Sequence, residues 1–583
     1  MARGKRPRTN EAGPKDAGSK PQARPKAPRG SAEEFVFAPL GGVGEIGMNL
    51  SLYGYGTPAK KDWIAVDCGV AFAGPELPGI DLVMPDPSFI EGEKKRLRAL
   101  IITHAHEDHI GAVADLWPRL GCPIYLTPFA AAMLETKRLS EAGAPKIPIR
   151  VIRPGERVEL GPFAFEMISV AHSIPESTAL AITSPLGTVV HTGDWKIDPT
   201  PVLGEKTDEA RFRALGDAGV LAMIGDSTNA IREGSSPSEA NVALELEKII
   251  AAAKGRVAVT TFASNVGRIR AVAQAAMRAD RQVVLVGRAM ERVITIAREQ
   301  GMLEGIPPFV SVESYGYLPR DKVVAVLTGS QGEPRAALAR VANDDHPEVT
   351  LAPGDTVVFS SRTIPGNEKA VGAIVNGLVK QGVQIITDRD ALVHVSGHPR
   401  RGEMEQMYNW VRPQIAVPVH GEPYHMAEHA ALAKRMGVKE VILANDGDMI
   451  RLAPGEPDVV DTLPAARLFK DGYLLIEEAS RVVPERRKLS FAGIVSVAIA
   501  MDERGVVVGD IQMDMAGVPE QDAMGDDLAE LVEETVLDCV EGLPKARRRD
   551  PDAVAESVTR AIRGTLNARW GKKPMCHVLV VTV

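Results

Sequence analysis

The sequence predicts an α/β protein built in several folded parts, and three observations carry that prediction. Between Phe35 and Asp194 short β runs alternate with glycine turns. Beyond Asp226 strands and helices alternate, and the last hundred residues give two strand-like runs, two amphipathic helices and a final strand. The chain has 583 residues, too many for one core, so two or three domains are expected.

Residues 1–31 come first. The first thirty carry nine Lys or Arg against Glu11 and Asp16, a balance of +7, with frequent Pro and Gly. Such a stretch cannot bury a core and reads as a disordered basic arm, either solubilising or drawn to phosphates. The whole chain carries -8, so the remainder is acidic and any nucleic acid has to be held by a local basic groove. FVFAPLGG, NLSLYGYG, WIAVDCG and LRALIITHAHEDH then read as strands that run out into loops, and FAFEMISVAH, ALAITSP and TVVHTGDW repeat the pattern. Loops at strand ends are where a rigid scaffold presents catalytic groups, and residues 32–226 form the first part of one domain.

NVALELEKIIAAAKG, RVAVTTFAS, NVGRIRAVAQAAMRAD, RQVVLVG, KVVAVLTGSQGEP and DTVVFSS have the βαβ rhythm of a parallel sheet covered by helices, which sets a second unit at 227–390. The span 391–470, from ALVHVSGH through PVHGEPYH, returns to strands ending in histidines. Residues 471–486, with the charged EEASRVVPERRK, read as a linker, and 487–583 as a small C-terminal α/β domain whose second strand is GVVVGDIQ. Cys68, Cys122, Cys539 and Cys576 form no CxxC pair, which speaks against disulfides and thiolate-bound zinc. No apolar run reaches the ~18 to 20 residues that span a bilayer, so a cytoplasmic protein without membrane contact is expected.

THAHEDH, residues 103–109, places three histidines and two acids directly after an apolar strand. His104 and His106, two apart on extended chain, can face one side, and Asp108 and His109 follow at the start of the next segment. His172 in SVAHS, Asp194 in HTGDW and His420 in PVHGE stand at other strand ends. Seven ligands overfill one ion but suit two that share a carboxylate. The economical assignment puts His104, His106 and His172 on one metal, Asp108, His109 and His420 on the other, with Asp194 shared. Two such ions activate water near neutral pH and steady the attacking and leaving oxygens of an in-line displacement. A His and Asp set without Cys favours two zinc ions per chain, with manganese or magnesium as substitutes.

The same residues resemble the metallo-β-lactamase superfamily, whose fold is a four-layered αββα sandwich. Asp226 in GDST, His398 in VSGH and His420 in PVHGE resemble the three motifs of its β-CASP nucleases, in which an α/β domain is inserted, here at 227–390. A histidine at the third motif is associated with RNA-processing members. LGGVGEIGMN, HTGDWKIDPTP, LTGSQGEP, FSSRTIPGNE and HVSGH, with a separate domain after Arg487, are similar to the bacterial ribonuclease J family. The resemblance implies a metal-dependent ribonuclease acting on single-stranded RNA. It further implies 5′-to-3′ exonuclease action on 5′-monophosphate ends with added endonuclease action, in RNA maturation and mRNA decay. It also implies a homodimer or homotetramer and partners in the RNA-degradation machinery. Pro399, Arg400 and Arg401 stand where that family usually has small residues.

In that reading His398 binds phosphoryl oxygens or protonates the leaving oxygen, Asp226 orients it, and Asp67 orients a ligand without touching metal. Ser330, Gln331, Gly332, Ser360 and Ser361 offer donors at strand ends that suit a phosphate chain, and Ser396 and Gly397 beside His398 could cradle a terminal phosphate. Arg268 and Arg270 could assist or lie on a solvated helix face. His425, Glu428 and His429 spell HxxEH, but the ligand set is complete without them. His191, His394 and His577 read as core or supporting histidines, and His346 as an exposed turn residue. Three other readings stay open: a DNA nuclease, a small-molecule hydrolase of the same fold, and a non-catalytic scaffold for RNA degradation.

Overall fold

The computed structural model describes residues 32–140, 144–364 and 366–583. The basic arm read over residues 1–31 lies outside them. Two sheets face each other across an apolar layer. One has eight strands, including Glu34–Gly41, Leu50–Thr57, Lys60–Val66 and Leu97–Ile101. The other has seven, including Phe163–Ser169, Thr178–Ser184, Gly187–His191, Ala222–Asp226 and Ile415–Val419.

Alternation decides which side chains meet. Phe35, Phe37, Tyr53, Ile64 and Ile101 point inward and pack with Phe163, Phe165, Leu180, Ile182 and Val417. Their neighbours Val36, Ala38, Leu52 and Ala65 point outward, into a cluster shared with Leu116 and Leu120 of helix Val113–Leu120. The outer face of the second sheet, through Ile168, Val190 and Met223, is covered by helices Glu209–Ala218, Arg401–Val411 and Pro423–Arg435. The result is an αββα sandwich, as the motifs suggest, and the strand Ile415–Val419 shows that the chain returns to it after the insertion.

The insertion is a five-stranded, all-parallel sheet in the order Gln282–Val286, Val323–Leu327, Val257–Thr260, Thr356–Phe359, Gln384–Ile386. Both faces are covered, so its central strands are apolar throughout instead of alternating. Val257 and Val326 pack with Val242, Leu246 and Ile269 on one side, and Ala258 and Leu327 pack with Leu338, Ile374 and Leu378 on the other.

Near the C-terminus the structure departs from the sequence reading twice. The segment read as a linker, 471–486, contains strand Leu474–Glu477, which pairs with Arg467–Asp471, and the start of helix Val482–Ala492. The run GVVVGDIQ is not the second strand of the last domain. Gly505 and Gly509 take left-handed φ values of 81° and 77°, and Asp502 Oδ1 accepts from Arg504 N and Val506 N, so the backbone is spent on a turn. The strand is Gln512–Ala516 instead, antiparallel to Ile494–Met501, which in turn runs parallel to Met575–Thr582. Val495, Val497 and Ile499 of the central strand pack under helices Leu528–Gly542 and Pro551–Trp570. His577, expected inside, is exposed on the last strand. Among the described residues no helix is long and apolar enough to cross a membrane.

Candidate active site

The strand Leu97–Ile101 stops just before Thr103, and residues 104–108 turn into the short helix Glu107–Ile110. The turn sits against the loop after Lys60–Val66, so closely that a Cβ on Gly69 would lie 1.7 Å from Asp108 O. Only glycine fits there. Asp67 itself takes a left-handed φ of 63°, and its buried carboxylate accepts from Thr103 N (2.8 Å), Thr103 Oγ1 and His109 Nδ1 (2.7 Å). It therefore faces the back of the histidine cluster. His172, Asp194 and His420 follow the strands Phe163–Ser169, Gly187–His191 and Ile415–Val419 of the second sheet. His420 is held at φ 50° by a bond from its N–H to Gly42 O.

The fold brings all seven expected ligands together in two groups that share Asp194. Ligand atoms of His104, His106, His172 and Asp194 lie within 4.8 Å of one another, and so do those of Asp108, His109, Asp194 and His420. Asp194 Oδ2 is the centre: it is 3.2 Å from His109 Nε2, 3.5 Å from His420 Nε2, and 3.7 Å from both His104 Nε2 and His172 Nε2.

The outer ring nitrogens are already engaged. His109 Nδ1 faces Asp67, His172 Nδ1 faces Gly397 O (2.8 Å), His420 Nδ1 faces Asn49 Oδ1 (3.0 Å) and His104 Nδ1 faces Thr103 Oγ1 (3.0 Å). With the outer nitrogens donating, the inner ones of His104, His172 and His420 turn lone pairs toward the Asp194 carboxylate, and His104 Nε2 and His172 Nε2 also lie 3.1 Å from His106 Nδ1. Asp194 Oδ1 and His420 Nε2 are buried without a hydrogen-bond partner. Buried acceptors facing acceptors are costly, and divalent cations satisfy them, so this donor set fits metal. Burial, then the neighbouring imidazoles, hold His104 and His172 well below the usual histidine range, and burial brings His106 down to about 4. Neutral imidazole is the form a metal needs, and His109 is the exception among these ligands: burial works against its charge, but Asp194, Asp108 and Asp67 outweigh it and push its pKa well above the usual histidine range.

His398 and Asp226 complete the front of the site. Asp226, 2% exposed, ends the strand Ala222–Asp226 and takes His398 Nδ1 at 2.8 Å, while its other oxygen accepts from Thr228 N. The imidazole of His398 stacks near His420 with centroids 5.6 Å apart, and its Nδ1 is 3.9 Å from Asp194 Oδ2. Burial works against charge on His398, but Asp226, Asp194 and Asp108 outweigh it and push its pKa up to about 9.

The expected phosphate donors fare unevenly. Ser396 Oγ accepts from Asn229 Nδ2 and from His398 N, which shapes the loop, and a Cβ on Gly397 would lie 2.6 Å from His172 Nδ1. Gln331 bridges to Arg362 O and Ile364 N, beside Ser330 and Gly332. Ser361 is buried, and Ser360 Oγ is spent on Val393 O (2.6 Å) and Arg268. Arg268 is neither on a solvated face nor in a groove. It is fully buried, grips Glu239 through two nitrogens and also donates to Ser360 O and Val393 O. Arg270 donates to Met302 O.

The residues of the HxxEH spelling go separate ways. Glu428 pairs with Arg401, and His429 is buried between Ser227 Oγ (2.9 Å) and Tyr408 OH (2.8 Å). His191 is buried against Tyr53 OH, and His346, half-buried, accepts from Val349 N to close a turn. Asn49 and Asn229 were invisible as site residues. Asn49, just before the strand Leu50–Thr57, ends the stretch LGGVGEIGMN that carries part of the family resemblance, but nothing in that stretch singles it out as a partner of a metal-binding histidine.

Four family descriptions match the chain in series: "Metallo-beta-lactamase superfamily" over residues 54–222, "Ribonuclease J, beta-CASP domain" over 254–378, "Zn-dependent metallo-hydrolase RNA specificity domain" over 382–444 and "Ribonuclease J C-terminal domain" over 481–583. The chain is 56% identical over 551 residues to the ribonuclease J of Sinorhizobium meliloti, covering 94% of this chain and 98% of that protein. It is 36% identical over 566 residues to that of Corynebacterium glutamicum, covering 96% and 77% of the two chains. Against that of Mycolicibacterium smegmatis it is 36% identical over 551 residues, covering 93% and 96%.

Proposed function

The chain belongs to the ribonuclease J family and is a metal-dependent ribonuclease, and on that premise we propose that it degrades single-stranded RNA from 5′-monophosphate ends in the 5′-to-3′ direction, with endonucleolytic cutting as a second activity. The observation that carries the proposal is the pair of donor groups meeting at Asp194 Oδ2, with His398 across from them. His104, His106 and His172 would hold one divalent ion, Asp108, His109 and His420 a second, and Asp194 both, with zinc the fitting metal and manganese or magnesium substitutes. When bound, such ions supply Lewis acidity that activates water and neutralises charge on the phosphoryl oxygens.

The chain's own residues supply the rest. Asp67 and Asn49 fix the ring orientations of His109 and His420 from behind. His398 gives its Nδ1 proton to Asp226 as a hydrogen bond, which leaves Nε2 to face the phosphodiester. There it donates to a non-bridging oxygen or passes a proton to the departing 3′-oxygen. Water adds to phosphorus, the bond to the 3′-oxygen breaks, and the downstream product carries a 5′-phosphate that is itself the next substrate. That chemistry is what lets one site act repeatedly along a strand. Gln331, Ser330 and the loop of Ser396 and Gly397 are the groups we assign to steady the RNA phosphates.

The test is a single-stranded RNA with a 5′-monophosphate, labelled at either end, with chelator and Asp194→Ala controls. Immediate release of the 5′ label as mononucleotide, abolished by both controls, supports the proposal. Long internal fragments alone would overturn the exonuclease part, and no cleavage in zinc, manganese or magnesium would overturn the whole.

A further inference from the structure

Three arginines come from separate segments around the loop of His398: Asn229 Nδ2 donates to His398 O (3.1 Å) and Arg232 N donates to Asn229 O (2.9 Å), which puts Arg232 one turn away from it. Arg232 follows the strand Ala222–Asp226, Arg362 follows Thr356–Phe359, and Arg400 lies two residues past His398. Backbone bonds join two of the segments, Arg401 N donating to Arg232 O (3.0 Å) and Gly402 N to Gly234 O (2.9 Å), and Ser360 Oγ donates to Val393 O (2.6 Å), tying the strand end that leads to Arg362 to the chain that leads to His398. Among the described residues neither Arg232 nor Arg400 forms an ion pair, and Arg400 Nε is buried without a hydrogen-bond partner. Among the described residues Arg362 pairs only with Asp388, at 3.7 Å. Their neighbour Arg401, by contrast, is neutralised by Glu233 and Glu428. Burial, then repulsion from Arg362 and Arg400, holds the Arg232 guanidinium below its ordinary pKa.

Three like charges held together beside a cleft, with one partial counter-charge, are unfavourable until an anion joins them. Guanidinium forks match phosphate oxygens in particular. We propose that Arg232, Arg362 and Arg400 form a rim that binds a phosphate of the RNA substrate next to His398. This rests on the ribonuclease reading. The phosphate could be the terminal one or an internal phosphodiester, and both are the same ligand chemistry.

The test is steady-state cleavage of one single-stranded RNA sequence, bearing either a 5′-hydroxyl or a 5′-monophosphate, over a range of salt. Arg232→Gln and Arg400→Gln should each raise KM about tenfold with the loss falling on KM more than on kcat, since a charged hydrogen bond to phosphate is removed. Each should also flatten the dependence of log KM on log salt by roughly 0.7, the contribution of one neutralised phosphate on a single strand. Asp388→Asn, which frees Arg362, should lower KM, a gain that misfolding cannot imitate. Effects confined to the 5′-monophosphate RNA place the terminal phosphate in the rim, and equal effects on both RNAs place an internal one there. KM and salt slope within about twofold of the parent on both RNAs, or a higher KM for Asp388→Asn, would overturn the rim alone. A parent enzyme that cleaves no RNA would overturn the ribonuclease reading and the rim with it.

Discussion

Replacing Asp226 with asparagine isolates what the carboxylate does for His398. Asp226 is buried, with one oxygen on Thr228 N (2.8 Å) and the other on His398 Nδ1 (2.8 Å). In Asp226→Asn the amide carbonyl keeps Thr228 N, so the amide NH2 turns to His398. The ring nitrogen must then accept instead of donate, and the imidazole is left neutral, its Nε2 proton a weaker hydrogen-bond donor and a weaker acid than that of the imidazolium Asp226 sustains. A buried charge-assisted hydrogen bond is worth about 1.5–3 kcal/mol, which corresponds to a loss of roughly 10- to 150-fold in the single-turnover cleavage rate. Because the shape and the Thr228 bond survive, the melting temperature should hardly move, and bound metal should stay at the parent level. The assay is single-turnover cleavage of 5′-monophosphorylated RNA, with metal analysis of the same preparation. A rate within about twofold of the parent would refute the orienting role. A parallel fall in bound metal would instead make Asp226 a ligand, which its place in a third donor group with Asp194, His398 and His420 makes a fair contest.

Asp194→Ala removes the carboxylate shared by both donor groups, so bound metal should fall to less than about half of the parent level and cleavage by more than about a hundredfold; retention of full metal content would refute the shared position. Arg268→Met leaves the buried Glu239 carboxylate with Lys196 alone, at 3.6 Å, and should destabilise the inserted sheet by up to about 3–5 kcal/mol, read as an early step in thermal unfolding; an unchanged melting curve would mean that the ion pair is not holding the insert. Burial holds His429 down to about 4 in the fold, against about 6.5 in an unfolded chain. Between those values the unfolded chain binds a proton that the folded chain refuses, so stability rises with pH across the window, and about 3 kcal/mol is lost on acidifying to pH 4. His429→Gln should flatten that slope in melts taken between pH 4 and 7, and an equal slope in parent and variant would assign the acid sensitivity to other groups.

The donor cluster of residues 104–109 was legible because it is local: strand, turn and ligands lie within one short stretch, and spacing alone restricts where they can point. His172, Asp194 and His420 were legible as strand-end residues for the same reason, since a polar group that closes an apolar run has few places to go. Arg268 was misread because a helix face gives no sign of what packs on it. Its burial depends on Glu239, Ser360 and Val393, up to 125 residues away. Ser360 was misjudged with it, as a hydroxyl can be donor to a substrate or to a neighbouring carbonyl and sequence does not choose. GVVVGDIQ looked like a strand by composition, but its two glycines and the Asp502 side chain turn the backbone and hold it to a single bridge, Val507 to Met501.

The sequence by itself determined the order of parts and the chemistry: short β runs between glycine turns marked the strand-rich first part, the alternation of helix and strand marked the parallel insert, and the histidine and aspartate spacing marked a metal donor set, while the layered sandwich came only from the family resemblance. Those are near-neighbour properties, governed by the period of a strand or helix and by the reach of one turn. Only the tertiary structure decided that a single oxygen of Asp194 sits between both groups, that Asn49 and Asp67 lock the rings from behind, and that Arg232, Arg362 and Arg400 are left beside the cleft while Arg268 is sealed inside. Each of these depends on which distant segments share a boundary, and that is fixed by packing over the whole chain, which no local pattern encodes.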